Sequence, residues 1–120
     1  MADEPTNSSN PVDWSVAQNL TGGDESLLRE LIELFPGESA RHLQAIRAAV
    51  TQADDEALTR AAHTLKSSAR LFGATALAER ALQLETLARS SEFGEAANRV
   101  PDVEDEVRRV VEALEKGPAL

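Results

Sequence analysis

The sequence contains no cysteine and very few aromatic residues. Across 120 residues there are no tyrosines, one tryptophan and three phenylalanines. The absence of cysteine excludes disulfides, thiol catalysis and cysteine-ligated zinc. Because aromatic residues make up only 3% of the chain, leucine, alanine and valine must supply most of a core. The length fits a single domain with one such core.

Long apolar runs and an excess of positive charge are also missing. No apolar run approaches the ~20 residues of a membrane span, and the acidic, polar start does not resemble a signal peptide. Lys and Arg number 12 against 21 Asp and Glu, which gives a net charge of -9 at pH 7. This balance argues against nucleic acid as a partner. We therefore expect a cytoplasmic chain that binds neither nucleic acid nor membrane.

Helical periodicity runs through most of the chain, and no strand-like alternation or internal repeat is present. Predicted helices cover residues 13–20, a long segment after Asp24, 55–71, 75–90 and a last segment ending near 116. In the long segment apolar or small residues recur at threes and fours: Leu28, Ile32, Phe35, Ser39, Leu43, Ile46 and Val50. The last segment repeats valine and leucine at the same spacing, which is typical of a bundle seam.

Local signals predict where these helices begin, bend and end. Asp24 and Asp54 are good N-caps, and Thr75 is a candidate cap for the fourth helix. We expect Pro36 to kink the second helix rather than break it. Pro101 lies inside the last helix or at its start, and the sequence leaves both placements open.

Short connections between the long helices favour antiparallel neighbours. The predicted fold is therefore all-α, an antiparallel up-down-up-down four-helix bundle with a short additional N-terminal helix. We expect residues 1–11 to form a disordered tail, residues 12–117 to form the bundle domain, and residues 118–120 to form a C-terminal tail.

A histidine and a lysine share one face of the third predicted helix. At about 100° per residue, Lys66 lies about 60° from His63, whereas Leu65 and Phe72 lie roughly 180–200° away. The apolar side therefore faces a core and His63 faces water. Small residues surround the histidine in the sequence and are expected to leave its ring uncovered: Ala62, Ser67, Ser68 and Ala69. Gly73 predicts the C-terminal end of this helix, where glycine is common.

The string around this histidine resembles the signature of histidine-containing phosphotransfer (HPt) domains. The matching residues are Ala62-His63, Leu65-Lys66-Ser67-Ser68 and Gly73-Ala74, although the family often has glycine where Ser67 stands. The wider layout is similar over about residues 12 to 116, with Asp13-Trp14, Gly22-Gly23-Asp24, Asp54 and Leu84-Glu85.

The resemblance implies a phosphohistidine carrier in a two-component phosphorelay. His63 would accept a phosphoryl group on Nε2, Lys66 would stabilise that group, and Glu85 would orient the histidine ring. The partners implied are response-regulator receiver domains or a hybrid sensor histidine kinase. The receiver would bring Mg²⁺, and the chain itself would need no cofactor.

The expected docking surface is the histidine helix with the adjoining face of the preceding helix. The residues assigned to docking are Thr59, Ser67, Arg70 and Gly73. We expect a monomer without an ATP site of its own, since no Walker-type glycine-rich loop occurs in the sequence.

Other classes of function fit the sequence less well. The dimerisation domain of sensor kinases usually has an acidic residue after its histidine, where this chain has Thr64. A helical interaction module that carries no phosphate stays an alternative, although the His63–Lys66 pair argues against it. No His-x-x-x-His or Glu-x-x-His pair supports a metal site. We expect His42 to lie at the surface or at the boundary of the core.

Overall fold

The computed structural model describes residues 10–118, and over this range it contains five α-helices and no strand. The helices are α1 (Trp14–Leu20), α2 (Glu25–Gln52), α3 (Asp55–Leu71), α4 (Thr75–Arg89) and α5 (Phe93–Lys116). The all-α prediction is therefore confirmed. The tails predicted at residues 1–11 and 118–120 fall mostly outside the described residues. None of the five helices is long and apolar enough to cross a membrane.

Aspartate side chains cap the first three helices. Asp24 accepts a hydrogen bond from the Leu27 amide and Asp54 accepts one from the Ala57 amide, each at 3.0 Å. These contacts satisfy amides that the first helical turn leaves without a partner, and both predicted caps are confirmed. The predicted cap at Thr75 is wrong. Ala74 holds the N-cap position of α4 without a side-chain cap, and Thr75 is the first helical residue.

Both internal prolines lie within helices. Pro36 is inside α2, which continues to Gln52, so the proline does not break the helix, as expected. Pro101 lies inside α5 rather than at its start. Both proline side chains are exposed. The backbone carbonyls that lose a helical amide partner to these prolines therefore lie on faces that water can reach.

The helices enclose one apolar core. α2 packs against α3 and α5, and α4 packs against the same two helices, so each long helix has two neighbours in the bundle. The largest side chains with almost no exposure come from all four long helices: Phe35, Ile46, Leu58, Leu65, Leu77, Leu84, Val103 and Val110. Complete burial of one such leucine contributes about 2 kcal/mol. Leucine, alanine and valine supply most of this core, as the composition predicts.

The N-terminal segment is fastened to the end of α3. The Asp13 amide donates to the Phe72 carbonyl at 2.9 Å, and Val12 is buried. Gly73 follows with a left-handed φ of +60, and a Cβ added there would lie 2.6 Å from the Asp13 Cβ. The predicted stop at Gly73 is confirmed, and glycine is required both by the backbone angle and by the neighbouring chain.

Candidate functional site

His63 lies on the exposed face of α3. The opposite face of this helix buries Leu58, Leu65 and Ala69 completely, which fixes the rotation of the helix about its axis. The histidine side chain is 58% exposed. An imidazole in this position can be reached by a partner molecule, as the helical wheel predicts.

Glu85 from α4 lies beside the histidine ring. Its Oε2 atom is 3.3 Å from His63 Nδ1, although the glutamate side chain itself is only 5% exposed. A carboxylate at Nδ1 favours the tautomer that carries its proton there and leaves Nε2 with a free lone pair. The structure therefore places Glu85, the residue expected to orient the ring, next to His63.

Lys66 is not on the solvent-exposed face with His63, and the expectation that it shares this face is wrong. The lysine is buried, and its Nζ atom donates to Glu85 Oε1 at 2.7 Å. The reason is its angular position: about 60° from His63 around the helix, Lys66 lies on the side of α3 that α4 covers. Its stem lies between the two helices and its ammonium group ends on Glu85.

Arg89 is a fourth member of the site that the sequence reasoning missed. Its Nη2 atom donates to Glu85 Oε2 at 2.7 Å, and its side chain is 66% exposed. The signal was present in the sequence, since Arg89 follows Glu85 by four residues and such pairs are neighbours on a helix surface. Glu85 therefore accepts from two cations and faces the histidine ring as well.

These contacts keep the buried carboxylate ionised. The hydrogen bond from Lys66, with contributions from Arg89 and His63, lowers the pKa of Glu85 to about 2 although burial acts in the opposite direction. At neutral pH Glu85 is therefore a negatively charged acceptor. It can balance positive charge on the histidine ring.

The residues assigned to docking differ in exposure. Ser67 and Arg70 are exposed and Thr59 is half-buried. Gly73 is half-buried, with Asp13 and Val16 packed beside it. Of the small residues expected to surround His63, Ala62 and Ala69 are instead fully buried in the core.

A groove next to His63 runs between α3 and α4. Its volume is about 560 Å³, and its lining residues are Asp55, Glu56, Thr59, Arg60, His63, Glu85, Ala88 and Arg89. Thr59 is the one residue assigned to docking that lines this groove. The structure thus offers a concave surface on the α4 side of α3, where charged side chains surround the histidine.

Within residues 10–118 no group of three His, Cys, Asp or Glu side chains is placed to hold a metal ion. His42 lies half-buried at the boundary of the core, as expected. Its burial lowers the pKa of its ring.

An exposed histidine held over a buried carboxylate in a helical bundle defines a candidate phosphoryl-carrier site. Comparison with protein families gives the same class: residues 30–117 match the family model of the Hpt domain. The chain belongs to the Hpt domain family. The comparison with curated proteins gives no match.

A solved structure supports this assignment. The chain is similar to the crystal structure of histidine-containing phosphotransfer protein B (HptB) from Pseudomonas aeruginosa PAO1, with 27% sequence identity and a TM-score of 0.82. The similarity covers 88% of this chain and 92% of that chain. The protein is thus a phosphohistidine carrier of a phosphorelay. An Hpt domain carries phosphate and is not a catalytic kinase, and its family works with receiver domains or kinases.

Proposed function

We propose that His63 is the phosphoryl acceptor and that it exchanges the group with the aspartate of a receiver domain. The observation that carries this proposal is an imidazole whose Nδ1 faces Glu85 and whose side chain is 58% exposed. A neutral imidazole nitrogen is a competent nucleophile near neutral pH.

The transfer step needs only one bond made and one broken. The Nε2 lone pair attacks the phosphorus of the aspartyl phosphate, and the bond from phosphorus to the carboxylate oxygen breaks with its electron pair left on the aspartate. The Nδ1 proton stays on the ring, where it donates to Glu85 Oε2. The positive charge that the ring acquires is balanced by this carboxylate. Transfer in the reverse direction uses the same contacts.

Positioning accounts for most of the catalysis in phosphoryl transfer. The 3.3 Å contact to Glu85 is long for a hydrogen bond, and such contacts tighten when the partner binds. We propose that the receiver supplies Mg²⁺ and the groups around the leaving oxygen, so this chain needs no cofactor. Glu85 acts here as a positioning residue.

We also propose that the four long helices form the up-down-up-down bundle predicted from the sequence, and that the protein is a monomer. The long helices alternate in direction, since the connections are only a few residues between Gln52 and Asp55, Leu71 and Thr75, and Arg89 and Phe93. The core is complete within one chain, which supports a monomer. Phosphate would come from receivers or a sensor kinase rather than from ATP bound here. The cytoplasmic location stays a prediction.

A labelling experiment with matched histidine variants tests the proposal. The chain has two histidines, so His42→Gln is a control for His63→Gln. We expect a ³²P-labelled receiver to transfer acid-labile, base-stable label to the unchanged protein and to His42→Gln, and none to His63→Gln. Label retained in His63→Gln would refute the assignment. An unlabelled wild-type chain across a panel of receivers would instead favour an interaction module without phosphate.

A further inference from the structure

Two cations share the carboxylate of Glu85, and they differ sharply in exposure. The Lys66 side chain is 10% exposed and donates to Oε1, whereas the Arg89 side chain is 66% exposed and donates to Oε2. Oε2 is also the oxygen that faces His63 Nδ1. The exposed cation is therefore held on the histidine side of the carboxylate.

Lys66 is poorly placed to leave its partner. An ammonium group that moves away from a buried carboxylate leaves both charges without compensation, which is costly where water is excluded. An ammonium is also a point charge, so contact with a second anion weakens its first contact. The groove beside His63 is lined by Glu85 and Arg89 but not by Lys66.

Arg89 has the donors and the access that Lys66 lacks. A guanidinium group carries five N–H donors in a planar fork and matches phosphate oxygens well. Its contact with Glu85 uses Nη2, so the other donors stay available on the solvent side. Arg89 can hold the carboxylate and a phosphoryl oxygen together.

Arg60 is a second exposed arginine close to His63, but Glu85 does not hold it in place as it holds Arg89. Arg60 precedes the histidine by three residues and lines the same groove. Its side chain forms no ion pair with any residue between 10 and 118, whereas the Arg89 guanidinium is paired with Glu85. Preorganisation therefore favours Arg89.

We propose that Arg89 contacts the phosphoryl group carried by His63, and that Lys66 is a positioning residue that acts through Glu85. This division rests on the proposed phosphorylation of His63. It reverses the assignment that the sequence suggests, in which Lys66 stabilises the phosphoryl group directly.

The test loads His63 chemically and needs no receiver. Phosphoramidate phosphorylates histidine directly, and ³¹P NMR then follows the pKa of the phosphoryl group in the intact protein. A neighbouring cation lowers this pKa, so Arg89→Ala should raise it by about 0.5 unit. Arg60→Ala removes the same charge from the same groove and should raise it by less than about 0.2 unit. Equal effects of the two variants would overturn the assignment of Arg89.

The proposed role of Lys66 has its own readout. In protein labelled with ¹⁵N-histidine, Lys66→Met should reduce the population of the Nδ1–H tautomer of unphosphorylated His63, because Glu85 loses the contact that fixes Oε1. Arg89→Ala should leave that population nearly unchanged, and Lys66→Arg should restore it. A tautomer that responds to Arg89→Ala and not to Lys66→Met would overturn the division.

The two proposals fail separately. If receivers do not label His63 but phosphoramidate does, the proposed function is contradicted while the pKa comparison still decides the role of Arg89. If receivers label His63 and the two arginine variants behave alike, the function stands and the inference about Arg89 is wrong.

Discussion

Replacing Lys66 with methionine should destabilise the protein measurably, although the site looks like a surface site from the sequence. The substitution keeps the length of the side chain and removes its charge. Breaking a buried ion pair costs about 3–5 kcal/mol when the remaining charge is left alone. Glu85 keeps its contact with Arg89, so we expect a smaller loss of about 2–3 kcal/mol, or a fall in Tm of about 10 °C.

Urea unfolding followed by circular dichroism at pH 7 measures this loss. The chain offers a matched control, because Lys116 is exposed near the end of α5. Lys116→Met should change the free energy of unfolding by less than about 0.5 kcal/mol. A double-mutant cycle with Glu85→Gln should show coupling between positions 66 and 85. If Lys66→Met were as stable as Lys116→Met, the buried ion pair would contribute nothing and the reasoning would be refuted.

Two further predictions concern acid stability and the end of α3. The pKa of Glu85 is lowered from 4.5 to about 2, so its ionised form stabilises the fold above pH 4.5 and this stability is lost as pH falls towards 2. At about 1.4 kcal/mol per unit the loss is about 3 kcal/mol. Urea midpoints between pH 5 and 2 should therefore fall less in Glu85→Gln than in the wild type, and parallel curves would contradict the account. Gly73→Ala should cost about 1–3 kcal/mol, because its φ is +60 and Asp13 leaves no room. The control is Gly94→Ala, which meets nothing within 4 Å and should be neutral or slightly stabilising in thermal unfolding.

The fold was largely predictable because its signals are local. Helical spacing separates the buried face of α3 from His63, and Asp24 and Asp54 mark the starts of their helices in the sequence itself. Thr75 shows the limit of such signals, since a capping residue type one position after the cap makes no capping contact. Residue type alone does not fix the register of a helix start.

The arrangement of the site depends on how helices pack, which periodicity does not give. Lys66 lies about 60° from His63 around the axis of α3. A side chain at this angle is exposed or buried according to where α4 packs. The interpretation of Gly73 was incomplete for the same reason, because its neighbour Asp13 is distant in the sequence. Arg89 could be paired with Glu85 by spacing, but its place beside His63 follows only from the packing of α3 on α4.

The nitrogen that carries the phosphoryl group gives the most direct test of the account. After transfer from a phosphorylated receiver, ¹H–¹⁵N–³¹P correlation NMR identifies the ring atom bonded to phosphorus in ¹⁵N-histidine protein. Glu85 at Nδ1 predicts phosphorus on Nε2 of His63, with a proton retained on Nδ1. Phosphorus on Nδ1, or on His42, would contradict the proposed site.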